Sequence, residues 1–237
     1  MRDPLPTPWR VAIYYASNPE SDEWRLGSAW LGRCAHSDRA TTQPRINGIA
    51  PDTFSALTAD PAHYGWHATL KAPFRLAPGV ELDTLRAEIQ RFCKGRVPFS
   101  LGRLTITQPG RFLALTPAQA APEIDRLAAA CVQHFQPLAA PLTPAELARR
   151  RAAGLSPTQD ALLQRWGYPY VLEEFRFHFS LTGCVRSVSS DTLNALAMAG
   201  EKHFRPLSTI RVDRLSIFIQ PTPDSPFRLL EQTGFQP

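Results

Sequence analysis

An α+β fold of two lobes related by a pseudo-twofold axis is what the residue pattern of this chain predicts. His67-Ala68-Thr69-Leu70 and His178-Phe179-Ser180-Leu181 each place an imidazole two residues before a hydroxyl inside a strand-like segment. Each tetrad is followed by an amphipathic helix and then by two further strand-like segments, and the intervals from His67 to Phe112 and from His178 to Phe227 are nearly equal. A unit repeated in this way and folded about a twofold axis brings both tetrads to one shared cleft.

The first strand is expected over Arg10 to Ala16, where Val11, Ile13, Tyr14 and Tyr15 favour extended backbone and Asn18-Pro19 signals a turn. A helix follows from Asp22 to Leu31, with Ser21 or Asp22 as N-cap and Trp24 and Trp30 on its buried side. From Arg33 to Pro61 the mixture of Pro, Gly, Thr and Asp predicts loop, with a short helix near Thr53 to Thr58. Beyond the first tetrad, Leu82, Leu85, Ile89 and Phe92 form the stripe of an amphipathic helix. Strands are then expected over Phe99 to Thr107 and Phe112 to Thr116. After the second tetrad the series recurs as a helix from Asp191 to Phe204 and strands over Ile210 to Gln220 and Phe227 to Glu231.

A helical insert separates the copies. Ile124, Leu127, Ala128 and Cys131 mark its first helix, Pro144 to Ala153 its second, and Ser156-Pro157 opens a third that runs to Trp166. Arg149-Arg150-Arg151 on the second reads as a solvated face or as a contact for an anionic substrate. No low-complexity linker intervenes, so the expectation is one bilobal domain over 1–237, with lobe cores at about 62–116 and 170–237 and the insert at about 117–167.

Composition narrows the class. With 43% hydrophobic and 20% charged residues the chain has a globular balance, and a net charge of +5 favours anionic ligands without identifying one. Cys34, Cys93, Cys131 and Cys184 lie far apart with no CxxC pair, as reduced and mostly buried thiols do in a cytoplasmic protein. Apolar runs are too short to span a bilayer, and Pro4, Pro6 and Pro8 interrupt the stretch where a secretory signal would need continuous apolar residues. A cytoplasmic address without a membrane partner is the expectation. Gly-rich phosphate loops, a GxSxG elbow and a dinucleotide fingerprint are all missing from the sequence.

The tetrads carry the chemistry. Alternation puts each His and its hydroxyl on one strand face, with Ala68, Leu70, Phe179 and Leu181 on the other. Cleaving a phosphate ester without a metal needs one group to take a proton from the nucleophile and another to give one to the leaving oxygen. Imidazole serves both roles near neutral pH. Thr69 and Ser180 supply donors for phosphate oxygens, and the same alternation adds Lys71 to the face of His67, and Arg176 with Thr182 to that of His178. Either Tyr14 or Tyr15, not both, can face the site. His63 stands four residues before His67, but Gly65 between them and the lack of a following Glu break the zinc-helix pattern, so neither metal nor other cofactor is expected. His36, His134 and His203 have no partner pattern and are expected at the surface.

Taken with their context, Tyr64-Gly-Trp-His-Ala-Thr-Leu-Lys-Ala-Pro-Phe74 and Arg165 to Gly183, the paired tetrads resemble the 2H phosphoesterase superfamily. The similarity runs from Tyr14 to Leu230 and is to the branch whose genes lie among phosphonate-degradation operons. The resemblance implies two lobes, each an antiparallel sheet with helices outside, around a central cleft. It also implies His67 and His178 as acid/base pair, with Thr69 and Ser180 on the phosphate. The substrate class it implies is a cyclic phosphodiester of a small phosphorylated sugar or nucleotide. An RNA-end cyclic phosphodiesterase or 2′-5′ RNA ligase-like enzyme ranks below that, because the charge is modest and no aromatic-basic stripe is present. A non-catalytic binder of RNA or nucleotides is the remaining alternative.

Overall fold

Residues 7–207 and 209–237 are described by the computed structural model, so Pro4 and Pro6 of the proline-rich start lie outside the described residues. β1 (Arg10–Tyr15) leads to α1 (Asp22–Leu31), whose N-cap is Ser21, accepting from the Trp24 amide. A small hairpin of β2 (Arg33–Cys34) and β3 (Arg39–Ala40) precedes α2 (Pro51–Tyr64). This helix is far longer than the expected Thr53 to Thr58, because its internal Pro61 reads in sequence as a stop. β4 (Ala68–Phe74) carries the first tetrad and is followed by α3 (Leu82–Cys93), β5 (Phe99–Ser100), β6 (Leu104–Thr107) and β7 (Ala114–Pro117). The insert forms α4 (Pro122–Phe135), α5 (Pro144–Arg151) and α6 (Pro157–Trp166). Capping boxes at Thr143/Glu146 and Ser156/Gln159 start the last two. β8 (Phe179–Ser180) carries the second tetrad, and α7 (Ser190–Phe204), β9 (Arg211–Val212), β10 (Arg214–Gln220) and β11 (Arg228–Gly234) follow.

The main sheet has seven strands in the order β11-β10-β1-β4-β8-β7-β6, with antiparallel neighbours throughout. The two motif strands lie side by side at its centre, joined through the Ala68 and Phe179 pair. The strands following the first tetrad, β6 and β7, pair beside the second, and the strands following the second, β10 and β11, lie on the side of the first. Neither of the contiguous stretches 62–116 and 170–237 therefore makes a half-sheet alone. β7 and β11, equivalent in the repeat, are not equivalent in space: β7 touches the motif strand β8, whereas β1 takes the corresponding place against β4 and leaves β11 outermost. The stretches expected as single strands over Phe99 to Thr107 and Ile210 to Gln220 each divide. Their first parts pair as β5 with β9 in a separate ribbon.

The sheet's two faces have different fates. Val11, Ile13, Tyr15, Ala68, Leu70, Phe179 and Leu181 join the large core with the stripes of α3, α4 and α7. Ala12, Tyr14 and Ala16 look the other way, into a smaller cluster with Trp24, Phe218 and Phe227. All four stripe residues of α3, Leu82, Leu85, Ile89 and Phe92, are buried, each worth about 1.5–3 kcal/mol of transfer free energy. Cys93 and Cys131 are buried, Cys34 is half-buried and Cys184 exposed, all as free thiols. His203 departs from the surface expectation: it is half-buried, with Nε2 2.9 Å from the Leu26 carbonyl. Among the described residues no helix is long and apolar enough to cross a membrane.

Candidate active site

The pairing of β4 with β8 sets the geometry. With Ala68 opposite Phe179, alternation to either side puts His67 opposite Ser180 and Thr69 opposite His178. Directly opposed side chains start about 4.5–5.5 Å apart and diagonal ones about 7–8 Å. The two imidazoles occupy one diagonal and the two hydroxyls the other. Trp66, just before His67, stacks on Phe179, just after His178, with ring centroids 4.7 Å apart, and so locks the motifs together from the core side.

Each ring is held in the same way. His67 Nδ1 lies 2.8 Å from the Gly65 carbonyl and His178 Nδ1 lies 2.7 Å from the Arg176 carbonyl, two residues upstream in both cases. A carbonyl only accepts, so each Nδ1 carries the proton and each Nε2 is left as a free base. Thr69 Oγ1 is 3.3 Å from His67 Nε2 and donates to it. The ring of Tyr14 stacks under His67 at 3.8 Å, and that of Phe112 flanks His178 at 5.2 Å. Gly65 is the pivot of the first turn: its φ of +80° is left-handed, and a Cβ there would meet Ala35 Cβ at 2.3 Å. In the sequence Gly65 counts only against a zinc-binding helix and Phe112 only as the start of a strand, although Gly before Trp-His is a signal for such a turn.

Burial makes charge expensive here. Desolvation, slightly relieved by the bond to Gly65 and reinforced by the charge of His178, lowers the His67 pKa from 6.5 to about 4. His178 is also lowered by desolvation. Both rings are therefore mainly neutral at neutral pH while the site is empty, and an arriving phosphate anion pushes both upward. Neither is sealed from solvent: both histidines, Thr69 and Ser180 are half-buried. Beside them an open groove of about 280 Å³ is lined by Tyr64, Arg111, Phe112 and Ser180.

Three of the expected substrate contacts, Lys71, Arg176 and Tyr14, are engaged elsewhere, and Thr182, expected on the face of His178, bonds to backbone. Lys71 is not on the face of His67, because β4 pairs Thr69 with Tyr14 but Lys71 with Ile13. The extra residue at this bulge resets the alternation and turns Lys71 away. Its Nζ is buried against α4 and donates to Gln136 Oε1 at 2.8 Å, with desolvation lowering its pKa to about 8. Arg176 keeps the expected alternation, but its guanidinium folds back to donate to the Glu173 and Phe175 carbonyls. Thr182 is buried, accepting from the Leu113 amide and donating to the Gly183 carbonyl. Tyr14 does face the site while Tyr15 joins the core, but it is fully buried beneath His67 and supports that ring instead of meeting a ligand. The cation that lines the groove beside Ser180 is instead Arg111, with Asp60 on the same wall.

A central antiparallel sheet carrying two twofold-related His-x-Thr/Ser pairs on adjacent strands matches the arrangement that the 2H resemblance implies. The chain belongs to the family described as "Protein of unknown function (DUF1045)", whose model matches residues 69–228. It is 40% identical over 235 residues to a ribose 1,5-bisphosphate phosphokinase PhnN of Janthinobacterium sp. (strain Marseille), covering 95% of this chain and 52% of that protein. The protein of the same description from Laribacter hongkongensis (strain HLHK9) is 38% identical over 224 residues, covering 93% and 50%. The chain thus spans about half the length of the curated relatives it matches. Among solved structures, Escherichia coli LigT complexed with NADP+ aligns with a TM-score of 0.44 at 13% identity, over 98% of this chain and 100% of that one. A crystal structure of a phosphoesterase aligns at 0.41 and 13% identity, over 97% and 100%.

Proposed function

We propose that this chain is a metal-independent phosphoesterase that opens a cyclic phosphodiester of a small phosphorylated sugar or nucleotide, in the setting of phosphonate metabolism. The observation that carries this is the diagonal pair of imidazoles, each with Nδ1 tied to a carbonyl and Nε2 unprotonated, on adjacent central strands. The ring with the lower pKa is the better placed to be unprotonated, so His67 is the base and His178 the acid. Water gives a proton to His67 Nε2 as its oxygen bonds to phosphorus. The bond from phosphorus to one sugar oxygen breaks, and that oxygen takes the proton from His178 Nε2, leaving a phosphate monoester. Thr69 and Ser180 donate to the phosphoryl oxygens that gather charge on the way.

The relatives described as acting on ribose 1,5-bisphosphate support a phosphorylated pentose as the substrate class. Their kinase activity is not carried over, since this chain has no Gly-rich phosphate loop. The test is turnover of cyclic ribose phosphates, nucleoside cyclic phosphates and short RNAs ending in a cyclic phosphate. His67→Ala and His178→Ala should each lose about 10²–10⁴-fold in kcat with melting temperature nearly unchanged, and EDTA should have no effect. Full activity in either variant removes the proposal, and preference for the RNA substrates moves it to the RNA-end reading.

A further inference from the structure

On the core side of the sheet, opposite the catalytic face, lies a carboxyl that the proposed chemistry does not use. Glu23, in the first turn of α1, is only 9% exposed, and among the described residues it makes no ion pair. A buried carboxyl without a counter-ion costs stability, so its presence in an apolar layer calls for a reason. Its Oε2 accepts from the Tyr15 hydroxyl at 3.1 Å, while Oε1 is sealed from solvent. Gly27, one turn further along the same face of α1, is where Trp66 packs, its ring 1.9 Å from the place a Cβ would take. Trp66 and Ser17 join Tyr15 in favouring the ionised carboxyl.

The residue that Glu23 holds lies directly beneath both tetrads. Tyr15 pairs with Ala68 across β1 and β4, and Ala68 pairs with Phe179 across β4 and β8, so the three make one row over three strands. Ala68 stands between His67 and Thr69, and Phe179 between His178 and Ser180. On the core side the row is packed by rings: Tyr15 meets Phe179 edge-on at 6.0 Å and Trp66 stacks on Phe179 at 4.7 Å. Tyr15, Trp66, Ala68 and Phe179 are all buried. Ring packing leaves a tyrosine free to tilt, whereas a hydrogen bond at its hydroxyl fixes the tilt. That hydroxyl has one proton and two acceptors within reach, Glu23 on α1 and the Arg211 carbonyl on β9 at 3.2 Å. Glu23 therefore decides which way the ring leans.

We propose that Glu23 is a positioning residue for the histidine pair: by taking the Tyr15 hydroxyl on the core side it fixes the row of Tyr15, Ala68 and Phe179, and with it the placing of His67 relative to His178. This rests on the phosphoesterase reading and adds to it a group that touches neither substrate nor reacting atoms. Without the carboxyl the hydroxyl turns wholly to the Arg211 carbonyl, and the Tyr15 ring tilts toward β9. Phe179 and Trp66, packed in the same layer, follow it and carry the two imidazoles out of line. A misplacement of about 1 Å between reacting groups costs about 10²-fold in rate, so a small tilt is enough to matter.

The experiment compares the unaltered protein with Glu23→Leu, Tyr15→Phe, the variant carrying both, and Glu23→Gln. It reads kcat and KM for whichever cyclic phosphate of the panel above is turned over fastest, together with the imidazole NMR signals of the ligand-free proteins. Glu23→Leu and Tyr15→Phe should each lower kcat by about 10- to 100-fold with KM within about twofold, and the combined variant should lower it no further. Glu23→Gln keeps an oxygen for Tyr15 and should stay within about threefold of the unaltered kcat. The signals of both His67 and His178 should move in the Leu and Phe variants, while that of His134, which bonds to Glu88, stays in place. Full kcat in Glu23→Leu, or a combined loss equal to the product of the single losses, overturns the proposal, and Tyr15→Phe decides alone if the Leu variant does not fold. Should the unaltered protein turn over nothing in the panel, the phosphoesterase reading fails and the NMR signals decide separately: movement of both rings upholds the positioning role, and unmoved rings reject it.

Discussion

At the scale of single residues, the two histidines are oriented by neighbours that lie outside the His-x-Thr/Ser pattern. The carbonyls of Gly65 and Arg176 choose the tautomers, and Tyr14 and Phe112 support the rings. Another buried group, Glu23, has a different consequence. Tyr15 donates to its carboxyl at 3.1 Å, and desolvation raises its pKa from 4.5 to about 7 against the opposing pull of Tyr15, Trp66 and Ser17. Between those two values the folded chain keeps a proton that the unfolded chain has released, so stability falls as pH rises from about 4.5 to 7 and is level above. Glu23→Gln removes this loss. In denaturant titrations the variant should match the unaltered protein at pH 4 and gain on it progressively, by about 3 kcal/mol at pH 8. An advantage that does not change with pH would count against a titrating Glu23.

Among elements, the strand-by-strand reading was accurate where side-chain pattern decides and failed where tertiary contacts do. The α1 range, its Ser21 cap and the α3 stripe follow from local chemistry, and the structure repeats them. The bulge that turns Lys71 away has no local signature, because it is set by the register against β1. The exchange of the hairpin strands between the tetrads is likewise invisible in a repeat, since sequence order does not say which copy a strand will pair with. Helix α1 contributes to the site through a gap: a Cβ on Gly27 would come within 1.9 Å of the Trp66 ring. Since Trp66 locks His67 to the strand of His178, Gly27→Ala should cost about 1–3 kcal/mol of stability and also lower kcat in the folded fraction. Thermal melts together with active-site-normalised turnover measure both, and unchanged turnover would show that the Trp66 stack does not position His67.

Over the whole molecule, the repeated tetrads of the sequence meet on adjacent central strands, and the four residues of the candidate site come from them. The expected cations are not among them. Lys71 and Arg176 were expected there by alternation alone, whereas Lys71 donates to Gln136 and Arg176 to the carbonyls of Glu173 and Phe175. Charge on the empty site also fixes how rate should depend on pH. On the proposed mechanism the productive free form has His67 neutral and His178 protonated, which desolvation of both rings, His67 down to about 4 and His178 below 6.5, confines to acidic pH. The optimum of kcat/KM should accordingly fall below pH 6.5, while that of kcat should lie higher, because bound phosphate raises both imidazoles. Coincident optima above pH 7 would contradict this electrostatic assignment.

Histidine NMR during a titration with inorganic phosphate tests most directly whether one phosphorus atom sits between the two rings. The signals of His67 and His178 should move along one shared saturation curve, with both pKa values rising in the complex. If only one ring responds, or the two saturate at different phosphate concentrations, the imidazoles do not share a ligand and the proposed chemistry is wrong.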